Sequence, residues 1–364
     1  MKNSRAFLVG LTLVITILQA GITSAIQFQF PAGALEPADL VVSPDGLYLY
    51  VACANNGDGI VTKIRLDDHS IVNSVSVGYD PISIAITPDG SYLYVTNTVN
   101  GYYTSFIETA SLSVIDSIQG GTDPSGVELT PDGSKVCIVN DWSSFMQVFS
   151  VPDNTEICTV YNIGNGAHDV AITPDGQFAY ATCFTTQKVV KISMATCEVI
   201  GEIPFPGKDA FYIDITPDGT EAWVTAGNWS NYVFIVSLQT DNIVDSVLVG
   251  AIPEDVKVSD NGEFVYIVSG DSLVTVSASS RQVVSGSPVG DGPRKIALHP
   301  LLPRIFVANY DGNTISELLI GPNGDYYYCG DANGDCMVNL ADAVSLINYI
   351  FKGGAAPACD CPKK

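Results

Sequence analysis

Ile82-Ser83-Ile84-Ala85-Ile86-Thr87-Pro88-Asp89-Gly90-Ser91-Tyr92-Leu93-Tyr94-Val95-Thr96-Asn97 holds two alternating runs on either side of a turn. Ile82, Ile84 and Ile86 alternate before it, and Tyr92, Tyr94 and Thr96 alternate with Leu93, Val95 and Asn97 after it. Pro88 presets φ at the first central position of the turn and Gly90 relaxes its exit, the chemistry of a tight β-turn. Both runs are rich in β-branched and aromatic residues, as strands buried on both faces require. The stretch predicts a hairpin of two core strands.

The turn recurs. Thr-Pro-Asp-Gly stands at 87–90, 130–133, 173–176 and 216–219, with Ser43-Pro44-Asp45-Gly46 and Ser259-Asp260-Asn261-Gly262 as variants and His299-Pro300-Leu301-Leu302 as a degenerate copy. The steps between copies are 44, 43, 43, 43, 43 and 40 residues. Seven copies at a period that fits four short strands predict a mainly β chain, a seven-bladed β-propeller over residues 26–320. The seventh repeat stops one strand short, after 295–298, 304–309 and 314–320. Residues 26–30, running into Pro31-Ala32-Gly33, resemble the ends of other repeats such as 74–78. The N-terminal strand is therefore expected to close the ring as the outermost strand of the last blade, leaving no open sheet edge.

Tyr94-Val95-Thr96-Asn97 resembles the signature of the YVTN repeat family, and Tyr180-Ala181-Thr182-Cys183, Trp223-Val224-Thr225-Ala226 and Val307-Ala308-Asn309 vary it. The resemblance covers roughly residues 26–320. It implies a seven-bladed propeller and no single activity, because similar repeats occur in surface-layer and adhesion proteins and beside enzyme modules.

Lys2 and Arg5 precede an apolar run from Phe7 to Leu18, and Thr23-Ser24-Ala25 supplies small residues for cleavage. Residues 1–25 are read as a signal peptide, the run being short of the ~20 residues of a span. The expected protein is secreted or held at the cell surface, with no integral membrane anchor after cleavage. Losing two cations takes the formal net charge from −23 to −25, which argues against nucleic acid as a partner. Cys53, Cys137, Cys158, Cys183 and Cys197 are spread through the repeats and read mostly as buried small hydrophobes. Cys329, Cys336, Cys359 and Cys361 crowd the end and read as staples.

After a short linker, 321–328, the segment 329–364 has calcium-loop spacing. Asp331, Asn333, Asp335, Asn339 and Asp342 fall at loop positions 1, 3, 5, 9 and 12, and Met337 offers its carbonyl at position 7. Calcium is the expected cofactor. A helix over 343–351 would place Val344, Ile347 and Ile350 or Phe351 on one face. The unit resembles half of a type I dockerin, which implies a cohesin-type or surface scaffold partner. It departs from the pattern in having one repeat rather than two and Cys336 at position 6.

In the propeller, the position four residues before each turn motif holds Asp39, Ser83, Gly126, Asp169, Tyr212, Asp255 and Lys295, and the position two before holds Glu128, Asp214 and Lys257 among apolar residues. These are expected to line a central channel. Loops at one face add aromatic residues, notably Trp142, Trp229 and Tyr310, beside Asp141 and Asp311; such side chains suit carbohydrate or protein. His168 is the one histidine expected at that face, and its neighbour Asp169 should point to the opposite side of the strand. Two readings follow: a non-catalytic binding or adhesion protein, or a lactonase-like or carbohydrate-active hydrolase or lyase using channel carboxylates and a metal.

Overall fold

The computed structural model describes residues 28–99, 102–227, 230–321, 324 and 326–327. The described residues form seven antiparallel sheets around a common axis, each of four strands labelled a to d from the axis outward, and one of them gains a short fifth strand. Blade 4 is typical: Ala167–Ile172, Phe178–Cys183, Lys188–Ser193 and Glu198–Pro204. Among the described residues no helix is long and apolar enough to cross a membrane.

The expected closure is present. Blade 7 takes strands a, b and c from Pro293–Leu298, Arg304–Asn309 and Thr314–Ile320, and its outer strand is Phe28–Pro31. Phe28 lies opposite Glu317 and Phe30 opposite Ile315. The outer position is shared, however. Tyr326–Tyr327 folds back and pairs with Ile320 and Leu319, so the C-terminal side of the chain extends the line that the N-terminal strand begins. Of the strand predicted over 26–30, residues 28–30 are in place, while residues 26 and 27 lie outside the described residues.

The core lies between blades. Seven apolar clusters occur, each joining two neighbours: Cys137, Val139 and Val148 of blade 3 pack with Val170, Ala181 and Ile192 of blade 4, for example. Phe30, Leu40, Leu49, Phe306 and Ile315 join blade 1 to blade 7 across the seam.

The repeat signature is an architectural device. The Tyr94 hydroxyl donates to Asn154 Oδ1 in the c–d turn of the next blade at 2.9 Å, and Tyr180 does the same to Asp241 at 3.2 Å. Thr96 and Thr182 donate to the Ser125 and Phe211 carbonyls of the next blade, both at 2.6 Å. Asn97 Nδ2 donates to the Tyr103 carbonyl at 2.9 Å, bracing its own blade.

The turn motif is equally explicit. Thr87 Oγ1 donates to Asp89 Oδ1 at 2.6 Å, and that oxygen also accepts the Ser91 amide at 3.0 Å. Hydrogen bonds of this kind from Thr130 and Ser134 hold the Asp132 carboxyl down at about 2. Gly133 has φ +67, and a Cβ there would stand 2.8 Å from Pro88 of the preceding turn, so backbone and packing both require glycine. In the degenerate copy His299 stands where the other turns have Thr or Ser, and Leu301 where they have Asp or Asn. The His299 Nδ1 accepts the Leu301 and Leu302 amides at 3.1 Å, and its Nε2 faces the Gly46 carbonyl at 3.1 Å.

The cysteines divide. Cys158 and Cys197 form a disulfide between blades 3 and 4, while Cys53, Cys137 and Cys183 are buried and free. Burial pushes each of those three thiols up to about 12, which removes them as nucleophiles. The calcium loop, the helix over 343–351 and the four terminal cysteines lie outside the described residues, as do the signal segment and Trp229.

Candidate functional site

The predicted channel residues come together on the seven a strands, but most of their carboxylates are committed to the ring itself. Asp39 Oδ2 accepts the Ile84 amide of the next blade at 3.0 Å. Asp169 takes Ile213 at 3.1 Å, Asp255 takes Ile296 at 2.9 Å, and Asp214 takes Val258 at 2.6 Å. Each is a latch from one innermost strand to its neighbour.

Charge pairing completes the belt. Lys295 Nζ lies 3.3 Å from Asp255 Oδ1 and 3.7 Å above the Tyr212 ring. Burial alone would lower the lysine pKa values, yet Asp255 and Asp169 around Lys295, and Asp214 and Asp255 around Lys257, raise both above the ordinary lysine range. Burial raises the carboxyls of Asp39 and Asp214 against the opposing pull of Lys295 and Lys257 respectively. Glu128 stands apart. Among the described residues it reaches no neighbouring blade's amide, and burial, with Lys257 opposing and Asp214 and Asp169 adding, pushes it up to about 7. Among the described residues no three His, Cys, Asp or Glu side chains are arranged to hold a metal ion.

A second set of residues crowns the channel. The pairing of every a strand with its b strand shifts register at its head, by a β-bulge or a like irregularity. The residue five before the turn motif lies at this interruption. In blades 4 to 7 it is His168, Phe211, Glu254 and Arg294; in blades 1 to 3 it is Ala38, Ile82 and Ser125. One half of the mouth is therefore charged and aromatic and the other is small or aliphatic.

His168 sits in a nest of rings: Phe184 at 5.9 Å, Phe211 at 5.1 Å and Tyr212 at 4.9 Å, all edge-on. Its Nδ1 is buried without a hydrogen-bond partner, and the nearest acid, Asp141, is 4.0 Å away. Asp169 turns elsewhere, to Ile213, as strand alternation predicted. Phe184 and Phe211 stack at 4.9 Å, nearly parallel at 7°. Exposed Arg294 lies 3.5 Å over the Tyr310 ring. Glu254 is raised by burial and by Asp255, with Arg294 and His168 drawing it down. Trp142 projects from the neighbouring loop, 73% exposed.

The sequence reading found His168, Trp142 and Tyr310 here and missed Phe211, Glu254 and Arg294. The missing signal was available at the fifth position before each motif, where charged and aromatic residues cluster in consecutive blades.

Comparison with known proteins agrees with this architecture. A search of curated proteins returned no match. Among solved structures, Kuenenia stuttgartiensis Hydrazine Synthase superposes with a TM-score of 0.73 at 19% identity, over 85% of this chain and 99% of that one. The Myceliophteria thermophila Cps50 (Swd1) β-propeller domain superposes at 0.68 with 13% identity, over 81% of this chain and 100% of that one. Identities this low establish a shared fold and nothing further. The model of the YNCE-like β-propeller family matches residues 6–263, most of the chain, and the protein belongs to that family.

Proposed function

We propose that this is an exported, non-catalytic binding protein that presents the half-ring at its channel mouth to a carbohydrate. A calcium-dependent C-terminal unit of dockerin type would attach it to a cohesin-type or other surface scaffold. One contrast carries the reading: four channel carboxylates are tied to backbone amides, whereas Arg294 on Tyr310, Glu254 and His168 beside Asp141 stand at the mouth, and Trp142 next to Asp141 in sequence is exposed. Flat rings beside forked and acidic hydrogen-bonding groups suit the apolar faces and hydroxyl edges of a sugar. The Cys158–Cys197 disulfide supports an oxidising compartment and hence export.

The test is a glycan array followed by calorimetry with the parent protein, Trp142→Ala and Arg294→Ala. The reading expects at least one glycan class to bind and both variants to weaken it. Binding of a protein partner with no glycan retained would move the ligand class to protein.

One observation favours the hydrolase or lyase reading. Glu128, raised to about 7, has the proton affinity of a general acid or base. Turnover of a lactone or glycoside that disappears in Glu128→Gln would establish it.

A further inference from the structure

An apolar groove opens on the face opposite the mouth, between blades 6 and 7. Phe264 and Tyr266 form one wall, Leu298, Leu301 and Leu302 the other, and Ile320 lies at its end. The turns of blades 1 to 6 at this face end in Asp-Gly or Asn-Gly, but the seventh presents Leu301 and Leu302, 68% and 51% exposed. Two adjacent exposed leucines over an apolar groove form a surface with a partner still to be assigned.

The chain leaves the ring at this groove. Gly321 lines it, and the following hairpin folds over blade 6: the Gly324 carbonyl accepts Ser285 Oγ at 2.7 Å, and a Cβ at Gly324 would stand 2.5 Å from Phe264. Ala343 follows Tyr327 by sixteen positions, a tether of up to about 55 Å when extended. From there Val344, Ile347 and Phe351 recur at helical spacing, in a stretch too short to hold a helix alone. Lys352 comes next, opposite in sign to exposed Asp260 and Glu263 on the groove's rim.

We propose that residues 343–352 pack as a helix in this groove, with Val344, Ile347 and Phe351 on Leu301, Leu302 and Phe264 and with Lys352 toward Asp260 and Glu263. The terminal unit is then a cap on the propeller. A partner that grips the unit by the same apolar face must first displace it, so the groove regulates attachment. The inference is independent of ligand binding at the mouth, on the other face.

Hydrogen exchange on the oxidised full chain tests it, comparing the parent with Leu301→Ser/Leu302→Ser and with Val344→Ser/Ile347→Ser. Both leucines are exposed enough for the first variant to keep the ring, and an unchanged melting temperature verifies that. The expected result is protection of amides 343–351 in the parent that falls by about tenfold or more in each variant. Equal exchange in the parent and the groove variant overturns the proposal. So does concentration-dependent self-association abolished by Leu301→Ser/Leu302→Ser, which assigns the groove to a second copy.

Discussion

His69 Nε2 stands 2.8 Å from Glu317 Oε2, joining the c–d turn of blade 1 to strand c of blade 7 across the seam. Phe30 stacks on the same imidazole at 4.4 Å and Phe28 lies 4.7 Å from it, while Arg304 holds Glu317 from the other side. The N-terminal strand is thus fastened by its aromatic faces as well as by pairing. Deleting residues 26–30 should lower the melting temperature and promote aggregation through the bared edge. His69→Ala should cost about 1–3 kcal/mol in urea titration, with the backbone pairing intact. Unchanged thermal unfolding of the deletion variant would refute the strand-locked seam.

Asp255 is the latch that also holds a cation, taking the Ile296 amide and the Lys295 ammonium while 1% exposed. Asp255→Ala strands a buried cation and should cost about 3–5 kcal/mol. Asp255→Asn keeps an oxygen for the amide and should cost less. Chemical denaturation of the two variants gives the order.

Glu128 makes stability depend on pH in a definite direction. Its folded pKa, about 7, lies above the ordinary 4.5, so its contribution is complete below 4.5 and is lost as pH rises through 7. Glu128→Gln keeps an uncharged side chain throughout and should therefore match the parent below about pH 4.5 and exceed it above about pH 7. Asp132, held down at about 2, acts oppositely: its contribution is present above 3.8 and lost as pH falls toward 2. Denaturation midpoints across that range separate the two groups.

Much of this was legible in the sequence because a period near 43 and a two-residue alternation are local patterns. Thr87-Pro88-Asp89-Gly90 announced its turn, and residues 26–30 announced the missing strand by likeness to 74–78. The latches were not legible. Asp39 and Ile84 are 45 positions apart, and nothing near either one shows that a channel carboxylate will meet an amide rather than a ligand. The mouth was half legible. Alternation assigns every second residue to the channel, but the interruption at the head of each a strand brings the fifth position before the motif to the mouth as well, which hid Glu254 and Arg294.

Trp142, 73% exposed, should be replaceable by Ala within about 0.5 kcal/mol of parental stability. Together with Trp229→Ala it is expected to weaken ligand or surface binding while the fold is preserved. Unfolding of the double variant would assign the two tryptophans to packing between blades.

For the terminal unit the expectation is one bound calcium, with Asp331, Asn333, Asp335, the Met337 carbonyl and Asp342 as ligands and Asn339 acting through water. Calorimetric titration of the oxidised protein should lose one calcium equivalent in Asp342→Ala. Equal uptake by both proteins would eliminate the site, and no uptake by either would mean that Cys336 disables the loop.

The composite outer strand of blade 7 also sets an order in time. Synthesis delivers Phe28–Pro31 before the other described strands, yet their partners at 314–317 follow almost all of them, and Glu36 waits 277 positions for the Asn313 oxygen that receives its amide. Six blades can assemble from neighbours as they appear, but the seventh is held open until residues 293–320 arrive. Among the described strands the first made is the last to find its place, and until then the nascent ring carries an unguarded edge.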